Sequence, residues 1–145
     1  LKVTLLEASA KKSGFLEEIC GELSLEDVDI VRERAEIQGH VDGYRESFDL
    51  VVSRAVARLN VLVEYSLPFC KVGGSMIAMK GKNVDKEFPD SQLAVEELGG
   101  LITVVVDCSI TLESIEGRLV VITKERPTSH NYPRIAGIPA KRPIS

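Results

Sequence analysis

Val3-Thr4-Leu5-Leu6-Glu7 is an apolar run that ends in a carboxylate and leads directly into a segment with helical periodicity. In nucleotide-binding α/β sheets, an acidic residue about twenty positions after the glycine-rich phosphate loop lies at a strand end and accepts hydrogen bonds from ribose hydroxyls. Glu7 has this relation to the apolar run, but no glycine-rich loop precedes it. We therefore expect the second strand of such a fold, in a chain from which an N-terminal portion has been removed.

The composition is typical of one globular domain. The chain has 145 residues, 44% of them hydrophobic, which is enough for a sizeable core. Aromatic residues are only 5% and Trp is absent, so Val, Ile and Leu supply the apolar content and favour buried strands. Because no apolar run approaches the roughly 20 residues that span a bilayer, and the start has no secretory pattern, we expect a cytoplasmic protein with no membrane partner.

The spacing of the cysteines and the net charge limit which metals and partners the protein is expected to bind. The three cysteines are far apart and lie in apolar segments, so we expect reduced core thiols and no metal site. The net charge of −4 is unfavourable for a nucleic-acid partner. The C-terminal tail (residues 124–145) nevertheless has five basic residues against the single acid Glu125. This asymmetry fits either an anionic partner or a solvated arm over the sheet, and the prolines of the tail predict neither helix nor central strand there.

Strand and helix patterns alternate along the chain. Apolar runs with strand character lie at residues 3–6, 28–31, 48–52, 75–79, 101–106 and 119–123. Segments around residues 15–23, 59–67 and 93–98 have the periodicity of amphipathic helices. The alternation predicts a mostly parallel sheet with right-handed crossovers and helices on both faces. The polar segment 111–117, with a glycine turn, predicts an antiparallel hairpin that makes the sheet mixed and closes its edge.

Two glycine pairs, Gly73-Gly74 and Gly99-Gly100, each follow a helical pattern and precede a strand. A phosphate-binding loop would instead open a helix. A glycine in the left-handed region commonly ends a helix at this place. We therefore expect both pairs to cap helices.

Charged residues follow two of the predicted strands. Arg34-Ala35-Glu36 comes after the second, where Ala35 leaves room for a flat base and Glu36 can accept a hydrogen bond from an exocyclic amine. The alternative for this tripeptide is an exposed turn. Arg54, in Ser53-Arg54-Ala55, ends the third strand and can bind a carboxylate or phosphate, although a surface arginine after a strand is also ordinary.

A lysine ends the predicted fourth strand. Lys80 closes an otherwise apolar run and is followed by Gly81, so the backbone turns beside the charge. The carboxyl ends of parallel strands lie at one edge of a sheet. We expect Lys80, Glu7, Glu36 and Arg54 to converge on one rim and form a ligand site.

Taken together, these motifs resemble the RsmG (GidB) methyltransferases over essentially all 145 residues. The matching features are Leu5-Leu6-Glu7 with Lys11 and Phe15-Leu16, Arg34-Ala35-Glu36, Phe48-Asp49 with Ser53-Arg54-Ala55, Lys80-Gly81 and Tyr132-Pro133-Arg134. The resemblance implies an α/β, Rossmann-like class I methyltransferase fold. It also implies transfer of a methyl group from S-adenosylmethionine to guanine N7 in 16S ribosomal RNA of the small subunit.

The resemblance also implies roles for particular residues. Cofactor binding falls to Glu7, Ala8, Ser9, Ala35, Glu36 and Arg54. RNA contacts fall to Lys11, Arg34, Lys80, Arg134, Lys141 and Arg142. Guanine N7 has an in-plane lone pair and needs no general base, so Arg54 and Lys80 are expected to position the reactants. Positioning is then the main source of catalysis.

The chain departs from this family at its start, because the first strand and glycine-rich loop are absent. Residues 1–145 then form the C-terminal portion of a single domain. The absent strand would lie between the strands at residues 3–6 and 48–52, so both would have an exposed edge and the fragment would be marginally stable or self-associating. Two other functions fit the same sheet: a non-catalytic nucleotide-binding domain and an RNA-binding module.

Overall fold

The computed structural model describes residues 1–110 and 115–145. Within these ranges lie six strands: β1 Val3–Leu6, β2 Val28–Val31, β3 Phe48–Arg54, β4 Cys70–Gly81, β5 Gly100–Ile110 and β6 Ile115–Lys124. The same ranges contain five α-helices: α1 Ala10–Glu22, α2 Ala35–Gln38, α3 Leu59–Ser66, α4 Phe88–Glu97 and α5 Ile138–Lys141. The predicted strands and amphipathic helices are confirmed. No helix in the described ranges has the length and apolar character needed to cross a membrane.

The strands form two sheets. One is a parallel pair of β1 and β2, and the other has the order β3-β4-β6-β5, with β3 and β4 parallel and β6 antiparallel to both of its neighbours. The predicted mixed sheet with an antiparallel pair at its edge is therefore confirmed. Among the described residues β1 pairs only with β2 and β3 only with β4, so each has one unpaired edge, as expected.

The core lies on one face of the four-stranded sheet, beneath α3 and α4. Met76 and Ala78 of β4 and Val120 and Ile122 of β6 point into it and are fully buried. The helices contribute Leu59, Leu62, Val63, Ala94 and Val95, and Leu98, the residue that follows α4, joins them. On the opposite face Met79 is 40% exposed. In the described part of the chain α1 packs mainly against β2.

The two glycine pairs have different roles. Gly99 follows α4 and has a φ of +84°, which confirms the predicted helix cap. The prediction was wrong for Gly73-Gly74, which lie inside β4. There Phe48 pairs with Cys70 and Leu50 with Ser75, so extra residues of β4 bulge outward. A Cβ on Gly74 would lie 2.8 Å from the Asp49 carbonyl oxygen, which explains the need for glycine.

One local prediction falls largely outside the described residues, and a second, in the tail, was wrong. The polar segment 111–117 was expected to form a glycine turn; residues 111–114 lie outside the described residues, while Gly117 is in β6, opposite Cys108 and Gly81. The tail was expected to contain no helix, but α5 forms one turn there. Pro139 is at the start of this turn, where its missing N–H would have had no helical partner.

The cysteines are all free thiols, as expected for a reduced protein. Cys70 is the only one of the three that is fully buried, whereas Cys20 and Cys108 are half-buried. Burial raises the pKa of the Cys70 thiol to about 12. The prediction of core thiols is therefore confirmed for Cys70 and wrong for the other two.

Candidate nucleotide-cofactor site

A groove of about 440 Å³ opens at the carboxyl ends of β1 and β3. Its wall includes residues 6–8 after β1, residues 33–36 after β2 and residues 51–54 of β3, with Leu62, Tyr65 and Ser66 of α3 on the inner side. The structure therefore brings together the predicted residues Glu7, Ala8, Arg34, Ala35, Glu36 and Arg54. These residues come from three strand ends, and the groove exists because parallel strands end at the same edge.

Glu7 is held by the turn that follows β1. Its backbone N–H donates to the Val31 carbonyl at 3.0 Å, which extends the β1–β2 pairing by one residue. The Ser9 backbone N–H donates to Glu7 Oε1 at 2.7 Å, so Ser9 orients the carboxylate and is the N-cap of α1. Within the described residues Glu7 Oε2 has no hydrogen-bond donor. This oxygen can accept a hydrogen bond from a ligand hydroxyl.

Glu36 lies in the first turn of α2 and is only 7% exposed. The Gly137 backbone N–H donates to Glu36 Oε1 at 2.9 Å, so the tail supplies the partner that a buried carboxylate requires. Ala35 begins α2 and puts no bulk over the groove. The carboxylate therefore retains acceptor capacity beside an open space.

Arg54 ends β3 and has an exposed side chain. No described residue forms an ion pair or hydrogen bond with its guanidinium. The next residue, Ala55, has a φ of +54°, a left-handed conformation that costs about 1 kcal/mol or more for a residue with a Cβ. The chain thus turns sharply after β3 and leaves a free cation at the rim of the groove.

Lys80 does not line the groove. Its Nζ lies 2.9 Å from Glu87 Oε2 and donates to the Ala57 carbonyl at 2.8 Å, and its side chain is 12% exposed. Glu87 Oε2 also accepts a hydrogen bond from the Leu59 backbone N–H. Lys80 therefore fixes the segment between Arg54 and α3 through its hydrogen bond to the Ala57 carbonyl.

The predicted basic residues of the tail divide into two groups. Lys141 and Arg142 are exposed, as is Lys11 in the first turn of α1. Arg134 is instead bound to Glu64, with its Nη2 2.7 Å from Oε2, and this contact raises the pKa of the Arg134 guanidinium. The Arg134 guanidinium therefore binds a carboxylate of the protein itself, unlike the exposed Lys141 and Arg142.

Lys124 changes the interpretation of the tail's charge. It is fully buried, and its Nζ donates to the Leu67 carbonyl at 2.7 Å and to Thr128 Oγ1 at 2.5 Å. Glu46 Oε1 lies 3.3 Å away. Burial lowers the pKa of Lys124. The excess of positive charge in the tail is thus partly internal, and an anionic partner does not explain all of it.

Sequence reasoning missed Tyr65, which lines the groove from α3. Its pKa is raised, first by burial and then by the carboxylates of Glu36 and Glu64. The one signal in the sequence is its spacing, three residues after Leu62, which puts both side chains on the same side of the helix. The spacing indicates that Leu62 and Tyr65 share a face of the helix, but it does not indicate that this face lines the groove.

The fold and the groove define a Rossmann-like methyltransferase domain. The chain superposes on an rRNA methylase from Streptococcus thermophilus with a TM-score of 0.58 and 13% identity, over 86% of this chain and 74% of that chain. It also superposes on a SAM-dependent methyltransferase from Methanosarcina mazei with a TM-score of 0.61 and 12% identity, over 86% and 82% of the two chains. At these identities the likeness shows the fold alone, and it confirms the predicted class.

The chain belongs to the GidB family, described as rRNA small subunit methyltransferase G, which matches residues 1–114. It is 46% identical to the ribosomal RNA small subunit methyltransferase G of Alkaliphilus oremlandii, over 99% of this chain and 60% of that protein. It is 44% identical to the protein of the same name from Brevibacillus brevis, with the same coverage of 99% and 60%. The predicted family is confirmed, and the chain spans about 60% of the length of the curated relatives it matches.

Proposed function

We propose that the protein transfers a methyl group from S-adenosylmethionine to guanine N7 in 16S ribosomal RNA, and that residues 1–145 supply the ribose and adenine side of the cofactor site. The observation that carries this proposal is the groove at the ends of β1 and β3, where Glu7, Ala35 and Glu36 lie together. Membership in a family named for small-subunit ribosomal RNA methylation supports the substrate and a cytoplasmic location.

The residues of the groove fit a nucleoside. Its volume of about 440 Å³ is within the range of small-molecule sites. We assign the free Oε2 of Glu7 to the ribose hydroxyls and the remaining acceptor capacity of Glu36 to the adenine amine. Arg54, which has no partner among the described residues, is assigned to the methionine carboxylate or to the RNA. The cofactor would supply the electrophilic methyl group.

The proposed chemistry depends on alignment. Guanine N7 attacks with its own lone pair, so this chain needs to orient groups and exclude water rather than move a proton. Arg54 is suited to direct contact because its guanidinium is free at the rim. Lys80 is assigned to positioning, since its ammonium holds the Ala57 carbonyl in the segment that follows Arg54.

The RNA is proposed to bind through exposed cations, of which Arg34 lines the groove. Arg34, Lys11, Lys141 and Arg142 are exposed and suited to phosphate contacts. Arg134 is assigned to supporting the tail through Glu64. Phosphate contacts of this kind orient the substrate without reading its sequence.

The test is methyl transfer to the natural substrate. The full-length protein is incubated with methyl-labelled S-adenosylmethionine and small ribosomal subunits from cells that lack the modification, and the digested RNA is searched for labelled 7-methylguanosine. Label in that nucleoside supports the proposal. Cofactor binding without label would indicate a non-catalytic nucleotide-binding domain, and salt-sensitive RNA binding without cofactor would indicate an RNA-binding module.

A further inference from the structure

Glu64 is a fully buried carboxylate on α3, and among the described residues every hydrogen bond to its oxygens comes from Arg134 in the tail. Arg134 binds both of its oxygens: Nε lies 3.0 Å from Oε1 and Nη2 lies 2.7 Å from Oε2. The Arg134 backbone N–H also donates to Oε1 at 2.8 Å. Glu64 therefore fixes the backbone of the tail at residue 134 as well as the side chain.

The same stretch of tail reaches the groove three residues later. Gly137 has a φ of +85°, and its backbone N–H donates to Glu36 Oε1 at 2.9 Å. Glu36 lines the groove, and Glu64 lies on α3 next to Tyr65, which also lines the groove. Two buried carboxylates thus hold the short segment 134–137, one at each end.

The tail is also fixed before residue 134. Arg45 donates to the Tyr132 carbonyl at 2.9 Å, and His40 Nε2 lies 2.7 Å from the Pro133 carbonyl oxygen. Pro133 packs so closely on α2's end that a Cβ on Gly39 would lie 2.9 Å from its Cγ. Within the described residues, Glu64 is the last side chain that fixes the tail before Gly137.

We propose that Glu64 is a positioning residue for the cofactor site: by holding Arg134 it places the Gly137 N–H against Glu36 and so orients the Glu36 carboxylate toward the adenine. This inference rests on the proposed function, because it takes Glu36 as a cofactor ligand. A hydrogen bond from Gly137 fixes one carboxylate oxygen and leaves the other for the ligand. Loss of that restraint lets the Glu36 carboxylate rotate away from the adenine. Cofactor binding then weakens, while the rate of methyl transfer at saturating cofactor is unchanged.

The experiment replaces Glu64 by Gln in the full-length protein. Glu64→Gln keeps the size of the side chain but replaces one acceptor oxygen by an NH₂ donor and removes the charge, so the two-point contact with Arg134 is lost. We expect amide hydrogen exchange at Gly137 to accelerate, and the dissociation constant for S-adenosylmethionine to rise on the order of tenfold. The kcat at saturating cofactor should stay within about twofold of the wild-type value.

Two further variants keep the test decisive. Glu97→Gln makes the same change on an exposed carboxylate that contacts Tyr132, and it should alter neither readout. Arg134→Lys, which keeps the charge but not the two-point contact, replaces Glu64→Gln if the latter fails to fold by circular dichroism. Faster exchange with unchanged cofactor affinity, or unchanged exchange, would overturn the role of Glu64. Failure of the wild-type protein to bind the cofactor would instead overturn the proposed function, and this inference with it.

Discussion

Charged residues that line the groove (the groove side) differ from charged residues that contact residues 124–137 of the tail (the tail side) in what they bind. On the groove side, Glu7 and Arg54 each have polar atoms without a partner among the described residues. On the tail side, Glu64 and Lys124 are fully buried and bound to several groups. A charge left free at a strand end is available to a ligand, whereas an enclosed charge holds one part of the chain against another.

Polar contacts between residues far apart in the sequence hold the tail in place. Arg45 donates to four backbone carbonyls, those of Gly39, Thr128, Ser129 and Tyr132. Glu46 accepts from the Thr128 backbone N–H at 2.7 Å and lies close to Lys124. A buried network of this kind is costly to break in part, because the remaining groups lose their partners away from water.

The largest expected effect is on the tail side. Lys124→Met fills a similar volume but removes the buried ammonium that donates to the Leu67 carbonyl and to Thr128 Oγ1 and that lies beside the Glu46 carboxylate. We expect the free energy of unfolding to fall by about 3 kcal/mol, measured by urea denaturation at neutral pH.

The control for this change is Lys141→Met, since Lys141 is an exposed lysine of the same tail. It should alter the free energy of unfolding by about 0.5 kcal/mol or less. Equal effects of the two substitutions would contradict the division into free and enclosed charges.

The next effect is on the groove side. Arg54→Ala removes a free cation from the rim of the groove, so we expect methyl transfer to fall on the order of 100-fold with no change in the melting temperature. Arg58→Ala is the matched control, because Arg58 is exposed, lies four positions further along and is paired with Asp90. Turnover by Arg54→Ala that stays near the wild-type rate would remove Arg54 from the site.

A third prediction concerns the unpaired edge of β3. Leu50 and Val52 are 51% and 50% exposed there, so we expect the isolated 145-residue chain to self-associate through β1 and β3. Val52→Lys should weaken this association on the order of tenfold in sedimentation experiments. Val72→Lys adds the same charge at a valine that is 51% exposed on β4, and should have little effect. A chain that is monomeric throughout would show that these edges do not drive association.

The sequence was sufficient for the strands and most of the groove. Strand positions follow from apolar runs, since a buried strand cannot be built otherwise. Glu7, Glu36 and Arg54 could be placed together because each follows such a run, and parallel strands end at one edge. These inferences need only the local pattern and one topological rule.

The tail could not be predicted in the same way. The Lys124 contact with Leu67 spans 57 positions, the Arg134 contact with Glu64 spans 70, and the Gly137 contact with Glu36 spans 101. A basic residue that will be buried looks the same in sequence as one that stays in water. The bulge at Gly73-Gly74 could not be predicted either, because it depends on how β3 pairs with β4.

The last prediction tests burial of the Cys70 thiol, next to Lys124, through pH. The Cys70 thiol has a pKa raised from 9.0 to about 12, chiefly by burial. Below about pH 9 the thiol is protonated in both the folded and unfolded protein, so its contribution to stability is fully present. As pH rises from about 9 towards 12, only the unfolded chain ionises, and the free energy of unfolding should fall by about 1 kcal/mol per pH unit from this group.

Cys70→Ala removes this slope while the other alkaline groups remain, so the difference between the two proteins isolates the thiol. Urea denaturation from about pH 8 to about pH 11 should show the wild-type curve falling more steeply than that of Cys70→Ala. Cys20→Ala, at a half-buried position on α1, controls for oxidation and should follow the wild type. Parallel curves for wild type and Cys70→Ala would mean that water reaches Cys70, and that the β4 end of the core, next to Lys124, is less enclosed than its neighbours.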